Sequence, residues 1–304
     1  MKNKRHLCFL LVVLLLCVSF FSGCTRPSGS NPNLSMFGFV GIDCFYDDPL
    51  DNETKTNYVD EVAGFTNIAH LCVFDYDDHI ENRVLFMNNV SIKPIVAIRT
   101  IFVDEVEGRY ILRDDFEQRW SHFISINNLS DETIAAFYLP DEPFHNNLPY
   151  EDLNRIAQSI QTSHPNIPIL LVEAYTALNN LIVPDVVDWV GFDQYDVIDP
   201  NTDVSYNLNF QKLLAKASGK DVFLIMDTQW RPYYQQEGNI SPSDMESIVL
   251  KYHNFSKNYE QIIGVIGYLW PGGLDEPEQL GARNLPENVK QVLTEIGQEI
   301  VGST

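Results

Sequence analysis

The sequence predicts an α/β fold, a single (β/α)8 TIM barrel, on three observations. Eight short apolar runs alternate with amphipathic stretches across residues 36–304, the beat of strands separated by helices. Most of these runs end on an acid, an arginine or an aromatic residue, groups that a strand interior does not accept without partners. The first run leads into Gly41-Ile42-Asp43-Cys44, which lacks the glycine spacing that a doubly wound sheet uses to hold a phosphate. No repeat or break in composition divides the stretch, and 45% apolar with 12% aromatic residues suffices for one large core.

In order, the predicted strands are residues 36–43, 67–74, 92–99, 134–139, 169–173, 187–193, 222–227 and 262–269. Each is too short for a helix and nearly continuous in Val, Ile, Leu and Phe, as a parallel strand buried on both faces requires. Helical periodicity covers 113–126, 149–163, 210–217, 242–259 and 285–301. Pro149, Pro242 and Pro286 stand where three of these helices begin, a position at which proline's missing N–H costs nothing. After the fifth strand, residues 176–183 leave room for little more than two turns.

The chain opens differently. Lys2, Lys4 and Arg5 precede an apolar run over 7–21 and then Ser22-Gly23-Cys24, the anatomy of a secretory signal peptide, expected over 1–23. Phe21-Ser22-Gly23-Cys24 resembles a bacterial lipobox, with Phe in place of the usual Leu. That resemblance implies a lipoprotein carrying fatty acid, such as palmitate, on Cys24. Residues 24–35, rich in Ser, Pro, Gly and Asn, read as a flexible tether. The expected location is the bacterial cell envelope, with the protein lipid-anchored to a membrane on its extracytoplasmic side, in the periplasm or at the cell surface.

A formal charge of −22 disfavours nucleic acid as a partner and fits neutral sugars, cationic ligands or divalent metals. Of five cysteines, Cys8, Cys17 and Cys24 fall in the leader and its junction. Cys44 and Cys72 remain at the ends of neighbouring strands, where they either pair or serve as small buried hydrophobes; the reading favours buried thiols. No Cys and His spacing suggests a structural metal, and no cofactor is expected. Asp75-Tyr76-Asp77-Asp78 reads as a solvated turn before a helix, and no Gly-x-Ser-x-Gly elbow supports acyl transfer.

The chemistry gathers at the strand ends. Ala135 to Phe144 is an apolar run that stops at Asp141 and Glu142 between prolines. Sister positions carry Asp43, Arg99, Glu173, Asp193 with Tyr195, Asp227 with Gln229 and Trp230, and Trp270. A parallel barrel brings such positions to one face. Tyr138-Leu139-Pro140-Asp141-Glu142-Pro143 resembles the end of strand four in (β/α)8 glycoside hydrolases of the clan A type, where an Asn-Glu-Pro triplet places the acid/base glutamate; here Asp141 replaces the asparagine. The resemblance implies that Glu142 protonates a glycosidic oxygen, a poor leaving group without a proton. It implies Asp227 at the end of strand seven as the second carboxylate, with Asp193 and Glu173 left open as alternatives. Asp43, Arg99, Asp141, Tyr195, Gln229, Trp230 and Trp270 are then expected to bind substrate, the Trp rings by stacking. The implied activity is hydrolysis of an oligo- or polysaccharide. The alternative is a carbohydrate-binding or scaffolding lipoprotein that keeps the cleft without turnover.

Overall fold

The computed structural model describes residues 31–302; the predicted signal, Cys24 and most of the tether lie outside them. The eight predicted strands form one parallel sheet curled into a barrel. They are β1 (Met36–Phe39), β2 (Ile68–Cys72), β3 (Lys93–Ala97), β6 (Ala136–Tyr138), β7 (Ile169–Ala174), β8 (Trp189–Asp193), β9 (Asp221–Asp227) and β10 (Ile262–Tyr268). Paired ladders run from β1 through β10, β9, β8, β7, β6 and β3 to β2. The seam between β1 and β2 is closed by main-chain bonds, Asn67 N–H to Phe37 O at 3.1 Å and Asp43 N–H to His70 O at 3.1 Å.

Helices pack outside: α1 (Val59–Val62), α2 (Glu81–Asn88), α3 (Arg99–Phe102), α4 (Phe116–Ile126), α5 (Tyr150–Ser163), α6 (Val204–Lys216), α7 (Pro232–Gly238), α8 (Met245–Ser256) and α9 (Glu287–Val301). Residues on alternate strand positions face opposite sides, and two apolar clusters result. The larger joins outward strand residues such as Phe37, Phe137 and Leu171 to the helices. The smaller fills the barrel with Ile68, Ile95, Leu170, Phe223, Ile225 and Ile266. Near the bottom, the Phe223 ring lies 2.3 Å from where a Cβ on Gly264 would stand and 5.0 Å from the Trp189 ring. Glycine at 264 thus lets one large ring plug the base, and the upper barrel stays open.

Several elements differ from expectation. A hairpin, β4 (Val103–Val106) with β5 (Arg109–Leu112), follows β3. Its signal was short: two four-residue strands around Glu107 and Gly108, both left-handed at φ 52° and 70°, as a two-residue hairpin turn demands. The short helix expected after the fifth strand is a single 3-10 turn, Tyr175–Ala177. Helix α6 starts at Val204, where the Asp203 side chain caps the Tyr206 N–H. The last tether residues are docked: the Asn31 side-chain amide donates to Ser256, Tyr259 and Ile262 carbonyls, at 3.1, 2.7 and 2.7 Å. Among the described residues no helix is long and apolar enough to cross a membrane.

Cys44 and Cys72 form a disulfide, which corrects the preference for buried thiols. The chain just past β1 pairs in parallel with β2, Asp43 opposite Leu71, and this brings the two Cα atoms to 4.7 Å, within bridging reach.

Candidate active site

A cavity of about 360 Å³ opens at the C-terminal mouth of the barrel, large enough for a small ligand. Its floor is the apolar inner cluster and its wall carries Asp141, Asp193, Arg99 and a set of tyrosines. Most wall residues contributed by the barrel strands follow one parity, Phe39 and Ala69 being the exceptions. His70 and Cys72 continue from Ile68, Tyr138 from Ala136, Asp193 from Trp189, and Tyr268 from Ile266.

Asp141 projects into this mouth, reached by solvent yet surrounded by protein on its other sides. Burial raises its carboxyl above the usual range, against the opposing pull of the Tyr138 hydroxyl and the Arg99 guanidinium. Tyr138 donates its hydroxyl proton to Asp141 Oδ1. Asp193, at the end of β8, is pushed well above the ordinary carboxylate range by burial and by Asp141 and Glu142 facing it. Two carboxylates on one low-polarity wall cannot both ionise at little cost, and the charge on Asp141 raises the proton affinity of Asp193.

Glu142 follows Asp141 but is not part of the cavity wall; it is half-buried, with backbone φ of 45°. Its N–H bonds Val172 O at 3.1 Å and its carbonyl accepts from Asn146 N at 2.9 Å. The turn is fixed, while the carboxylate itself has no hydrogen bond or ion pair among the described residues. Burial, with Asp141 and Glu173 nearby, raises it to about 7. The result is an acid protonated below neutrality next to two further carboxyl groups whose proton affinity is also raised.

Arg99 and Tyr195 also line the cavity. Arg99, expected at a strand end, begins α3; its guanidinium meets Glu105 at 2.8 Å and Tyr110 Oη at 3.4 Å, tying the hairpin to the wall. Tyr195 stacks on Tyr268 with ring centres 4.7 Å apart, and Tyr268 donates to Asp275 at 2.9 Å.

The remaining expected site residues are placed elsewhere. Asp227 is 0% exposed: the Tyr234 hydroxyl and the Asp196 N–H both donate to its Oδ2, and burial lifts it to about 6. Helix α7, which carries Tyr234, seals it from the cavity. Glu173 points outward from β7 and cradles the loop behind Glu142, accepting from Phe144 N at 2.8 Å, His145 N at 3.1 Å and Ala174 N at 2.9 Å. Asp43 is buried outside the barrel in an ion pair with Arg83 at 2.9 Å. Gln229 is buried against the Gln279 side chain. Trp230 gives its indole N–H to Ile240 O at 2.9 Å. Trp270 is buried on Phe39, ring centres 4.8 Å apart, with its N–H on Glu61 at 2.7 Å. Neither Trp ring belongs to the cavity wall.

Strand parity accounts for Asp43 and Glu173, whereas Asp227 shares the inward parity of Phe223 and Ile225 and is lost to the cavity because Tyr234 folds over it. Parity would have found the residues that were overlooked: His70, Tyr138 and Tyr268 each lie two positions from an inward apolar residue. His70 faces Tyr138 at 5.9 Å between ring centres, and burial holds it neutral, near about 4. With Cys44 and Cys72 it makes a compact group of potential metal donors, but the disulfide occupies both sulfurs.

Glu173 carries a stability prediction. Burial raises it to about 7 from 4.5, so its contribution is fully present below pH 4.5 and is lost as pH rises through 7. Glu173→Gln turns one acceptor into a donor against a buried N–H, which costs about 1–2 kcal/mol at pH 5. The variant is also expected to flatten the decline in stability between pH 4.5 and 7. Urea unfolding at four pH values checks both, and an unchanged slope would exclude Glu173 as its source.

No protein-family model and no curated protein matches the sequence. Among solved structures, the chain is similar to native xylanase 10B from Thermotoga maritima, at 12% identity over 90% of this chain and 98% of that one, TM-score 0.57. It is similar to PbGH5A, a glycoside hydrolase family 5 enzyme from Prevotella bryantii B14, at 13% identity over 91% and 98%, TM-score 0.53. A GH113 beta-1,4-mannanase matches at 11% identity over 88% and 99%, TM-score 0.55. This likeness over whole chains establishes the (β/α)8 barrel.

Proposed function

We propose that this barrel hydrolyses glycosidic bonds of an oligo- or polysaccharide, with Glu142 as general acid and Asp193, paired with Asp141, as the carboxylate facing the anomeric carbon. The observation that carries the reading is Glu142 itself, a carboxyl without a partner among the described residues, raised to about 7 by burial and by its neighbour Asp141, which with Asp193 lines the cavity. The similar structures being a xylanase, a family 5 glycoside hydrolase and a mannanase supports it.

In the first step the Glu142 proton passes to the glycosidic oxygen as the bond to the anomeric carbon breaks. The leaving sugar departs as a neutral alcohol and Glu142 becomes a carboxylate. An ionised carboxylate at Asp141 or Asp193 offsets the positive charge growing on the sugar ring. In its ionised form Asp193 either bonds to the anomeric carbon as the leaving group departs, giving a glycosyl-enzyme that a water deprotonated by the Glu142 carboxylate then hydrolyses, or takes a proton from a water that attacks in the same step; the two routes give opposite anomers. Proton NMR of the first product formed distinguishes them. Release of reducing ends from xylan, β-mannan and a wider glycan panel tests the activity. A folded protein that binds these glycans and releases none supports the alternative, a carbohydrate-binding lipoprotein, for which sealed Asp227 is the favouring observation.

We place the protein in the cell envelope of a bacterium, held by lipid on Cys24. Asn31 is pinned beside the start of β10, at the end of the barrel opposite the cavity. Cys24→Ala is expected to move the protein from the membrane fraction to the soluble fraction. Retention of the variant in membranes would remove the anchor from this account.

A further inference from the structure

Two phenylalanines stand at the mouth of the cavity with no role in the chemistry above. Phe45 is 58% exposed and Phe74 47%, their ring centres 5.5 Å apart and tilted by 37°. Phe74 is part of the cavity wall together with Asp141 and Asp193. Large rings left in water are ordinarily mobile; these are fixed from several sides.

The disulfide Cys44–Cys72 immobilises the chain one residue before Phe45 and two before Phe74. The Phe74 N–H donates to Asp78 Oδ2 at 2.6 Å. The Arg83 guanidinium lies 4.5 Å from the Phe45 ring centre and is itself held by Asp43 Oδ2 at 2.9 Å and Cys72 O at 3.0 Å. Phe45 adopts φ of 50°, a left-handed conformation that a bulky side chain rarely takes and that tends to persist where function needs it. Arg83 on one side of Phe45 already meets the electron-rich ring, so a second cation is disfavoured and a neutral ligand fits.

We propose that Phe45 and Phe74 form a stacking subsite for a neutral pyranose ring of a glycan whose adjoining residues occupy the cavity. The apolar C–H face of a pyranose complements the flat, electron-rich ring face. The inference rests on the carbohydrate reading of the cleft and assigns it a subsite on the β1–β2 side, away from Trp230 and Trp270.

The test is calorimetric titration of the full chain carrying Glu142→Gln with xylohexaose, mannohexaose and the corresponding disaccharides. Phe45→Ala and Phe74→Ala are each expected to weaken the bound hexasaccharide by about three- to tenfold and to leave the disaccharide unchanged. Phe45→Trp is expected to restore binding. Phe86→Ala, at a ring 48% exposed on α2 and outside the cavity wall, is expected to change nothing. Equal losses for both ligand lengths, no loss in either alanine variant, or no binding of any of the four sugars overturns the subsite. Wild-type protein that releases no reducing ends while the alanine variants lose hexasaccharide refutes the enzyme reading and leaves the subsite standing. Hydrolysis with hexasaccharide binding untouched by the alanine variants does the reverse.

Discussion

Glu142→Gln is expected to lower kcat on a natural glycan by about 10²- to 10⁴-fold, the usual worth of a positioned general acid. The amide fills the same volume, and the Glu142 carboxyl has no hydrogen-bonding partner to lose among the described residues, so folding should be undisturbed. The loss should depend on the leaving group. A nitrophenyl glycoside departs as a stable phenolate and needs little protonation, so its cleavage should fall far less than that of an oligosaccharide. The pH profile follows from the same group. Glu142 is raised to about 7 and acts while protonated, so kcat should fall as pH rises through 7 and the variant should lose that limb. Asp193→Asn should also lose at least about 10²-fold, whereas Asp227→Asn, sealed under Tyr234, should stay within about threefold. A greater loss in Asp227→Asn than in Asp193→Asn would return the strand-seven acid to the site and sink the present assignment.

Removing the seam disulfide is the larger stability effect. It closes a loop with a sequence separation of 28, and the chain-entropy relation puts its contribution at roughly 3.5 kcal/mol. Cys44→Ala with Cys72→Ala is therefore expected to lower the urea midpoint and Tm clearly, although β1 and β2 keep their main-chain bonds at the seam. Reduction of the wild-type protein by a thiol should match the double variant, and the double variant should not respond to the thiol. A change below about 1 kcal/mol would show that those bonds alone close the barrel and that the unfolded chain gains little freedom.

How far the site could be read from sequence depended on where each residue sat along its strand. Asp141, which lines the cavity, was legible because prolines stop an apolar strand at two acids, and the turn after a parallel strand is where polar groups collect. Arg99, Asp193 and Tyr195 were legible for the same reason, and all three line the cavity. Asp43 and Glu173 end apolar runs as convincingly, yet both face outward, where Arg83 and three backbone N–H groups occupy them. Trp230 and Trp270 follow strands seven and eight as a sugar platform would, but their indole N–H groups find buried acceptors. The exposed rings instead stand at Phe45 and Phe74, on the β1–β2 side.

The eight-strand alternation, the acidic tip of the fourth strand and the acidic character of the chain follow from sequence alone, because hydrophobic periodicity and proline placement are local properties. The tertiary structure decided which side of the barrel wall each strand-end residue occupies, that Cys44 and Cys72 meet across the seam, and that Asp227 is closed off by Tyr234. Those outcomes turn on strand parity, on the register between strands far apart in sequence, and on where loops fold back. None of the three is encoded by neighbouring residues, since a one-residue shift moves a side chain from the cavity to the helix layer without altering the apolar pattern of the run.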